Sequence, residues 1–196
     1  RARIEHHVDR LAVDRDGDNL LDLIPIDGIR IEIIDKLEEF EDEMIIGMNK
    51  NMPELFEPYR LNIVTGAYEQ IAENTNPAEP ISSWMTDHNG KLRLATQMID
   101  GTFERLLYRK TASDAWKEVI TLDFKETLSP MFFDFDNGDI VYALSNLGRD
   151  KAVITEYDLS KGVEIGDVLF EHPDVDAGSL SYSKKRKVVT GASYTT

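Results

Sequence analysis

The chain has 196 residues, 41% hydrophobic and 30% charged, the composition of an ordinary soluble globular protein with length for one or two domains and a sizeable core. Its 22 Lys and Arg against 37 Asp and Glu leave a net charge of −15, which disfavours nucleic acid as a partner because phosphate binding is driven by basic side chains. The absence of cysteine removes disulfides, thiolate chemistry and cysteine-based zinc sites, and no run of 18 apolar residues offers a membrane span. The sequence begins with Arg1 and shows no signal peptide. That start reads as a cut inside a longer protein, so localisation is not legible in it.

The governing pattern is a repeat of about 48 residues. Met44-Ile45-Ile46-Gly47-Met48-Asn49, Leu92-Arg93-Leu94-Ala95-Thr96-Gln97, Ile140-Val141-Tyr142-Ala143-Leu144-Ser145 and Val188-Val189-Thr190-Gly191-Ala192-Ser193 each begin 48 residues after the one before. A second track agrees, with Tyr59, Tyr108 and Tyr157 spaced 49 apart. Strands at a fixed period of this length are the signature of β-propeller blades, each a four-stranded antiparallel sheet.

In chain order, residues 8–13 and 20–24 read as a third and a fourth strand around an Asp14-to-Asp18 turn. The next unit places a first strand within 29–40, then strands at 44–50, 59–64 and 67–72, the last pair joined by a Thr65-Gly66 turn. Ile33, Ile34, Leu37 and Phe40 also have near-helical spacing, which admits a short helix there, but the repeat favours a strand. The clearest unit follows, with strands at 81–85, 91–98, 103–110 and 115–122. Its Asn89-Gly90 supplies the positive φ angles of a tight hairpin. Strands at 130–135, 140–145, 151–159 and 163–170 repeat the plan, with Asp136-Asn137-Gly138-Asp139 in register with Asp87 to Gly90. Residues 175–183 and 187–194 close the chain as a first and a second strand. The expected fold is all-β, a partial β-propeller over residues 1–196: half-blade 1–28, blades at about 29–74, 79–122 and 128–172, and half-blade 173–196.

The chemistry-bearing residues read as structural. No Gly-x-Ser-x-Gly elbow is present, and the nearest run, Gly191-Ala192-Ser193, leads into no helix. Asp14-x-Asp16-Gly17-Asp18 and Asp134-x-Asp136-Asn137-Gly138-Asp139 do not follow the calcium-loop spacing and read as hairpin turns. His6 and His7 are adjacent, so on a strand they point to opposite faces and chelate poorly. His88 and His172 fall in turns without a partner pattern. Trp84, Trp116, Phe132, Phe133 and Phe135 suit packing between blades better than a ligand-stacking platform. Lys184-Lys185-Arg186-Lys187 reads as a solvated hairpin turn, and the acidic run from Glu38 to Glu43 as a solvated face.

Four phrases carry a family resemblance. Tyr59-Arg60-Leu61-Asn62-Ile63-Val64-Thr65-Gly66 resembles a strand phrase of prolyl oligopeptidase-family serine peptidases. Trp84-x-x-Asp87-x-x-Gly90-x-Leu92-Arg93-Leu94-Ala95 is similar to a phrase of the acylaminoacyl-peptidase and dipeptidyl-peptidase-like branch. So are Ser145-Asn146-x-Gly148-Arg149-Asp150 with Tyr157-Asp158-Leu159, and Pro173-Asp174-Val175-Asp176. The resemblance covers residues 59–196 well and the first 58 only vaguely. In that family a propeller caps an α/β-hydrolase domain and filters peptides by size. The resemblance therefore implies a non-catalytic cap whose partners are the hydrolase domain of the same parent protein and its peptide substrates. The charge and the lack of an apolar span lead to the expectation of no nucleic-acid and no membrane partner, and no cofactor is expected. No position matches the family's catalytic motifs, so no catalytic, cofactor-binding or metal residue is assigned. The competing reading is a self-contained four-bladed ring, its terminal half-blades paired, that binds a protein or small ligand on its loop face.

Overall fold

The structure, a computed structural model, describes residues 22–194. The expected strand over 8–13 lies outside the described residues, and of the one over 20–24 only residues 22–24 fall within them, where the chain bends without forming a strand. The described residues form fourteen strands and contain no helix. The chain divides into two compact units, residues 1–81 and 82–196.

The first unit holds one antiparallel sheet of β1 (Ile31–Asp35), β2 (Glu43–Met52), β3 (Leu55–Asn62) and β4 (Tyr68–Gln70), in the order β1-β2-β3-β4. The near-helical spacing ahead of β2 is a strand followed by a tight turn. Leu37 adopts φ +47° and stays buried, its N–H donates to Asp35 Oδ1, and Phe40 N donates to the Leu37 carbonyl at 2.7 Å. The inner pair carries the core: Ile46 and Leu61 are fully buried, each burial contributing about 1.5–3 kcal/mol. Gly47 sits opposite Glu32, and a Cβ there would lie 2.8 Å from the Glu32 side chain, so glycine lets that chain lie across the sheet. The hairpin between β2 and β3 turns at Pro53 and Glu54, with Met52 facing Leu55. Third-strand pairing therefore starts four residues before Tyr59, the expected first residue.

The second unit repeats the meander twice. β5 (Ile81–Thr86), β6 (Leu92–Ile99), β7 (Phe103–Tyr108) and β8 (Lys117–Leu122) form one four-stranded sheet. β9 (Leu128–Phe133), β10 (Ile140–Ser145), β11 (Val153–Asp158) and β12 (Val163–Phe170) form the next. β13 (Ala177–Ser183) and β14 (Val188–Tyr194) make a two-stranded sheet. The second strands begin at Glu43, Leu92, Ile140 and Val188, so the spacing stays at 48 or 49 residues. Leu94, Leu106 and Leu122 of the first of these sheets share one apolar cluster with Phe133, Val141 and Tyr157 of the second. Each chain-ordered antiparallel sheet is a blade, and the fold is all-β: a partial β-propeller of four-stranded blades with a period of about 48 residues.

The turns explain the repeat. Asn62 ends β3 and its Oδ1 accepts from Val64 N at 3.0 Å and Thr65 N at 2.8 Å. Asp158 ends β11 and its Oδ1 accepts from Ser160 N at 3.0 Å and Lys161 N at 3.1 Å. Gly66 and Gly162 follow at φ +73° and +70°, where L side chains are strained. Asp87 N donates to the Lys91 carbonyl and Asp134 N to the Ile140 carbonyl, both across first-to-second-strand turns. The second of these loops is two residues longer, so Asp134, not Asp136, takes the place of Asp87.

Candidate functional site

The residues singled out in the sequence are drawn into packing and turns. His6, His7 and Asp14 to Asp18 lie outside the described residues. His88 places Nε2 2.6 Å from the Phe133 carbonyl and stacks on Phe135 at 4.3 Å. Phe132 meets Tyr142 at 4.8 Å and Tyr182 at 4.0 Å, so the aromatic rings join three successive sheets of the second unit. Trp84 and Trp116 lie 5.9 Å apart. His172 Nδ1 accepts from Asp174 N at 3.2 Å, and its ring lies 4.3 Å from Tyr194. Ser193 is a strand residue whose Oγ meets Ser179 Oγ at 2.7 Å. Lys184 to Lys187 form the β13–β14 turn, and Glu43 at the end of the acidic run pairs with Arg60. In the Asp134-to-Asp139 loop the carboxylates face protein donors. Asp134 accepts from Asp136 N, Asn137 N and Tyr142 Oη, which together outweigh burial and lower its pKa. Among the described residues, no group of three or more His, Asp or Glu side chains is placed to hold a metal ion.

The polar centre of the second unit is Arg93. It stands on β6 where the repeat elsewhere places Ile45 and Val141. Arg93 Nε donates to the Arg109 carbonyl at 2.6 Å, Nη1 to Asp87 Oδ2 at 3.1 Å, and Nη2 to Tyr108 Oη at 2.7 Å and the Gly138 carbonyl at 3.0 Å. Tyr108 in turn donates to Asp139 Oδ1 at 2.5 Å, and Lys110 Nζ reaches Asp139 Oδ2 at 3.0 Å. Burial and the bond to Asp139 push the Tyr108 phenol up to about 12. The same bond, with Lys110, holds the Asp139 carboxyl below its ordinary value despite burial. A buried arginine with all these partners ties β5–β8 to the β9–β10 loop; losing one partner of such a pair costs about 3–5 kcal/mol.

Beside this network lies a cleft of about 410 Å³. The β7–β8 turn, β8 and the β11–β12 turn line it with Tyr108, Arg109, Lys110, Lys117, Val119 and Leu159 among others. Arg109 is 7% exposed, its Nε donates to the Leu92 carbonyl at 2.9 Å, and its guanidinium lies 4.4 Å from the Trp116 ring centroid. Burial and the charge of Arg93 lower its pKa, with Asp114 acting the other way.

Sequence reasoning missed several polar anchors. Glu57 is 2% exposed and accepts from Asn51, from Gln70 at 2.8 Å and from Tyr59 at 3.5 Å. Asn49 Oδ1 accepts from Arg30 N, and Asn146 Oδ1 from Thr127 N, each at 2.6 Å. Both asparagines anchor the chain entering the first strand of their own sheet. They lie two periods and one residue apart, which is the signal that would have found them.

No family model matches the chain, and no curated protein does. Among solved structures it is similar to oligogalacturonate lyase in complex with manganese, at 8% identity and a TM-score of 0.46. The match covers 78% of this chain and 43% of that one, so this chain spans less than half the length of that structure.

Proposed function

We propose that this chain is the non-catalytic β-propeller portion of a prolyl-oligopeptidase-like serine peptidase. It gates peptide access to a hydrolase domain that the parent protein carries outside these residues. The mechanism is exclusion: a ring of blades narrows the path to the nucleophile, so specificity arises from size and not from bond chemistry on the propeller.

The observation that carries the reading is that the four family-like phrases, in order along the chain, are made of residues with definite work in a blade. Asn62, Thr65 and Gly66 build a third-to-fourth-strand turn. Asp87 and Arg93 pair at 3.1 Å. Ser145 Oγ donates to Glu164 Oε1 at 2.5 Å, and Arg149 grips the same carboxylate with both terminal nitrogens. Asp176 Oδ1 accepts from Ala152 N at 2.7 Å. A phrase set shared for such reasons supports common blade construction, and the order supports a common parent architecture.

The test is a fluorophosphonate label applied to the intact parent protein and to the 196-residue chain alone, with hydrolysis assayed on peptides of increasing length. The reading expects labelling of the parent only and a sharp loss of hydrolysis for long or folded substrates. A parent without a reactive serine overturns it and leaves the self-contained binding module as the better account.

A further inference from the structure

We propose that Asn137 is a site of spontaneous deamidation, with water as the co-reactant, and that the product loosens the β9–β10 loop from Arg93. The inference does not depend on the gating reading.

The chain holds two Asn-Gly pairs, both in first-to-second-strand turns: Asn89-Gly90 between β5 and β6, and Asn137-Gly138 between β9 and β10. Glycine has no Cβ to shield the peptide nitrogen, and the reaction needs that nitrogen free to attack the asparagine side chain. The structure separates the two pairs. Gly90 is buried, and its N–H donates to the Asp87 carbonyl at 2.9 Å. Asn137 and Gly138 are both exposed, and among the described residues the Gly138 N–H has no acceptor.

The Asn137 side chain is also prepared for attack. Its main chain is held on both sides, with Asn137 N donating to Asp134 Oδ1 at 2.8 Å and the Asn137 carbonyl accepting from Ile140 N at 3.0 Å. Asn137 Oδ1 accepts from Asp139 N at 3.0 Å, which closes a ring containing both Asn137 Cγ and Gly138 N. The side-chain carbonyl therefore already faces a fixed N–H donor, which stabilises the negative charge that develops on Oδ1 during attack. In the reaction Gly138 N bonds to Asn137 Cγ, the Cγ–Nδ2 bond breaks, and Nδ2 leaves as ammonia with the Gly138 proton. Water then opens the succinimide. Attack at Cγ gives aspartate. Attack at the former main-chain carbonyl gives isoaspartate, in which the main chain runs through Cβ and Cγ.

The consequence falls on Arg93. The Gly138 carbonyl accepts from Arg93 Nη2 at 3.0 Å and from Tyr108 Oη at 3.3 Å, and Asp139 accepts from Tyr108 and Lys110. Isoaspartate lengthens the main chain just before these groups. It also takes the Oδ1 acceptor from Asp139 N and adds a negative charge between Asp136 and Asp139.

The test incubates the full chain at neutral pH and body temperature for several weeks. Conversion at each asparagine is read by peptide mass mapping and by isoaspartyl methyltransferase labelling. The expected result is conversion of Asn137 several-fold faster than Asn89, with isoaspartate the larger product. Gly138→Ala slows the conversion several-fold. A Cβ at that position meets only the Arg93 guanidinium, at 3.5 Å, so the loop keeps its place. The isoaspartate form, separated by chromatography, unfolds at a lower urea concentration than fresh protein. It also unfolds below Asn137→Asp, which carries the charge without the longer main chain. The proposal is overturned if Asn137 converts no faster than Asn89, if Gly138→Ala converts as fast as the parent sequence, or if the isoaspartate form unfolds like fresh protein.

Discussion

Tyr59, Tyr108 and Tyr157 hold equivalent places on the third strand of successive sheets, and all are buried, yet their hydroxyls meet different surroundings. Tyr59 lies 3.5 Å from a buried carboxylate oxygen of Glu57, and burial foremost raises its pKa. Tyr108 sits between Arg93 and Asp139. Tyr157 is 1% exposed and its Oη has no hydrogen-bond partner among the described residues, while burial pushes its phenol up to about 12. The apolar ring is what the repeat selects, and the hydroxyl is used only where a nearby side chain or loop offers a partner. Two single-atom deletions test this. Tyr108→Phe removes hydrogen bonds to charged groups and leaves Asp139 short of a donor, so stability falls by about 1.5–3 kcal/mol. Tyr157→Phe removes a buried polar atom that makes no bond, so stability is unchanged or rises. Urea unfolding of both variants is the measurement, and an equal loss in the two would refute the distinction.

At the scale of the element, the third-to-fourth-strand turn shows why the sheets were legible. A side-chain oxygen at the strand end and a glycine four residues on appear at Asn62 with Gly66 and at Asp158 with Gly162, a pattern that composition and spacing expose directly. The middle sheet departs from it, because Lys110 occupies the equivalent place and reaches Asp139 instead. The β2–β3 turn at Pro53 and Glu54 contains no glycine or asparagine, which is why β3 begins earlier than the spacing implied. The cleft was not legible at all. Arg109 and Leu159 come from different sheets, and only packing brings them to one wall. The one available signal was Arg93, a charge standing at an apolar position of the repeat. The Asp158 turn also predicts a pH dependence. The bonds from Lys161 Nζ, first, and Ser160 Oγ hold its carboxyl down at about 2, below its unfolded value of about 3.9. A depressed carboxyl contributes stability that is fully present above pH ~4 and is lost as pH falls through the folded value. Asp158→Asn keeps the acceptor for the backbone amides and removes the charge. The variant is therefore expected to be less stable than the parent sequence at pH 7, with the difference shrinking as pH drops from about 4 toward 2. Denaturant melts across that range check the sign; a gap that widens in acid would contradict it.

At the scale of the whole molecule, the unequal sheets matter most. Three sheets have four strands, and the last has two. Every residue of β14 is exposed, with Val188 at 39% and Val189 at 38%, and among the described residues β14 pairs only with β13. A two-stranded ribbon is marginal by itself, and an open strand edge is a template for pairing with another chain. The gating reading treats this edge as the place where a larger propeller continues, so the 196-residue chain alone is expected to associate with itself as concentration rises. Replacing Val188 and Val189 together by Lys places charge on that edge and should suppress association while leaving the melt of the four-stranded sheets in place. Sedimentation of both proteins over a range of concentrations, with thermal melts in the same buffer, separates the two accounts. Association relieved by the lysines means that the edge is open and that these blades belong to a longer ring. A compact monomer with a single cooperative melt at every concentration means that the edge is satisfied within the chain, and the blades then form a closed binding module in their own right.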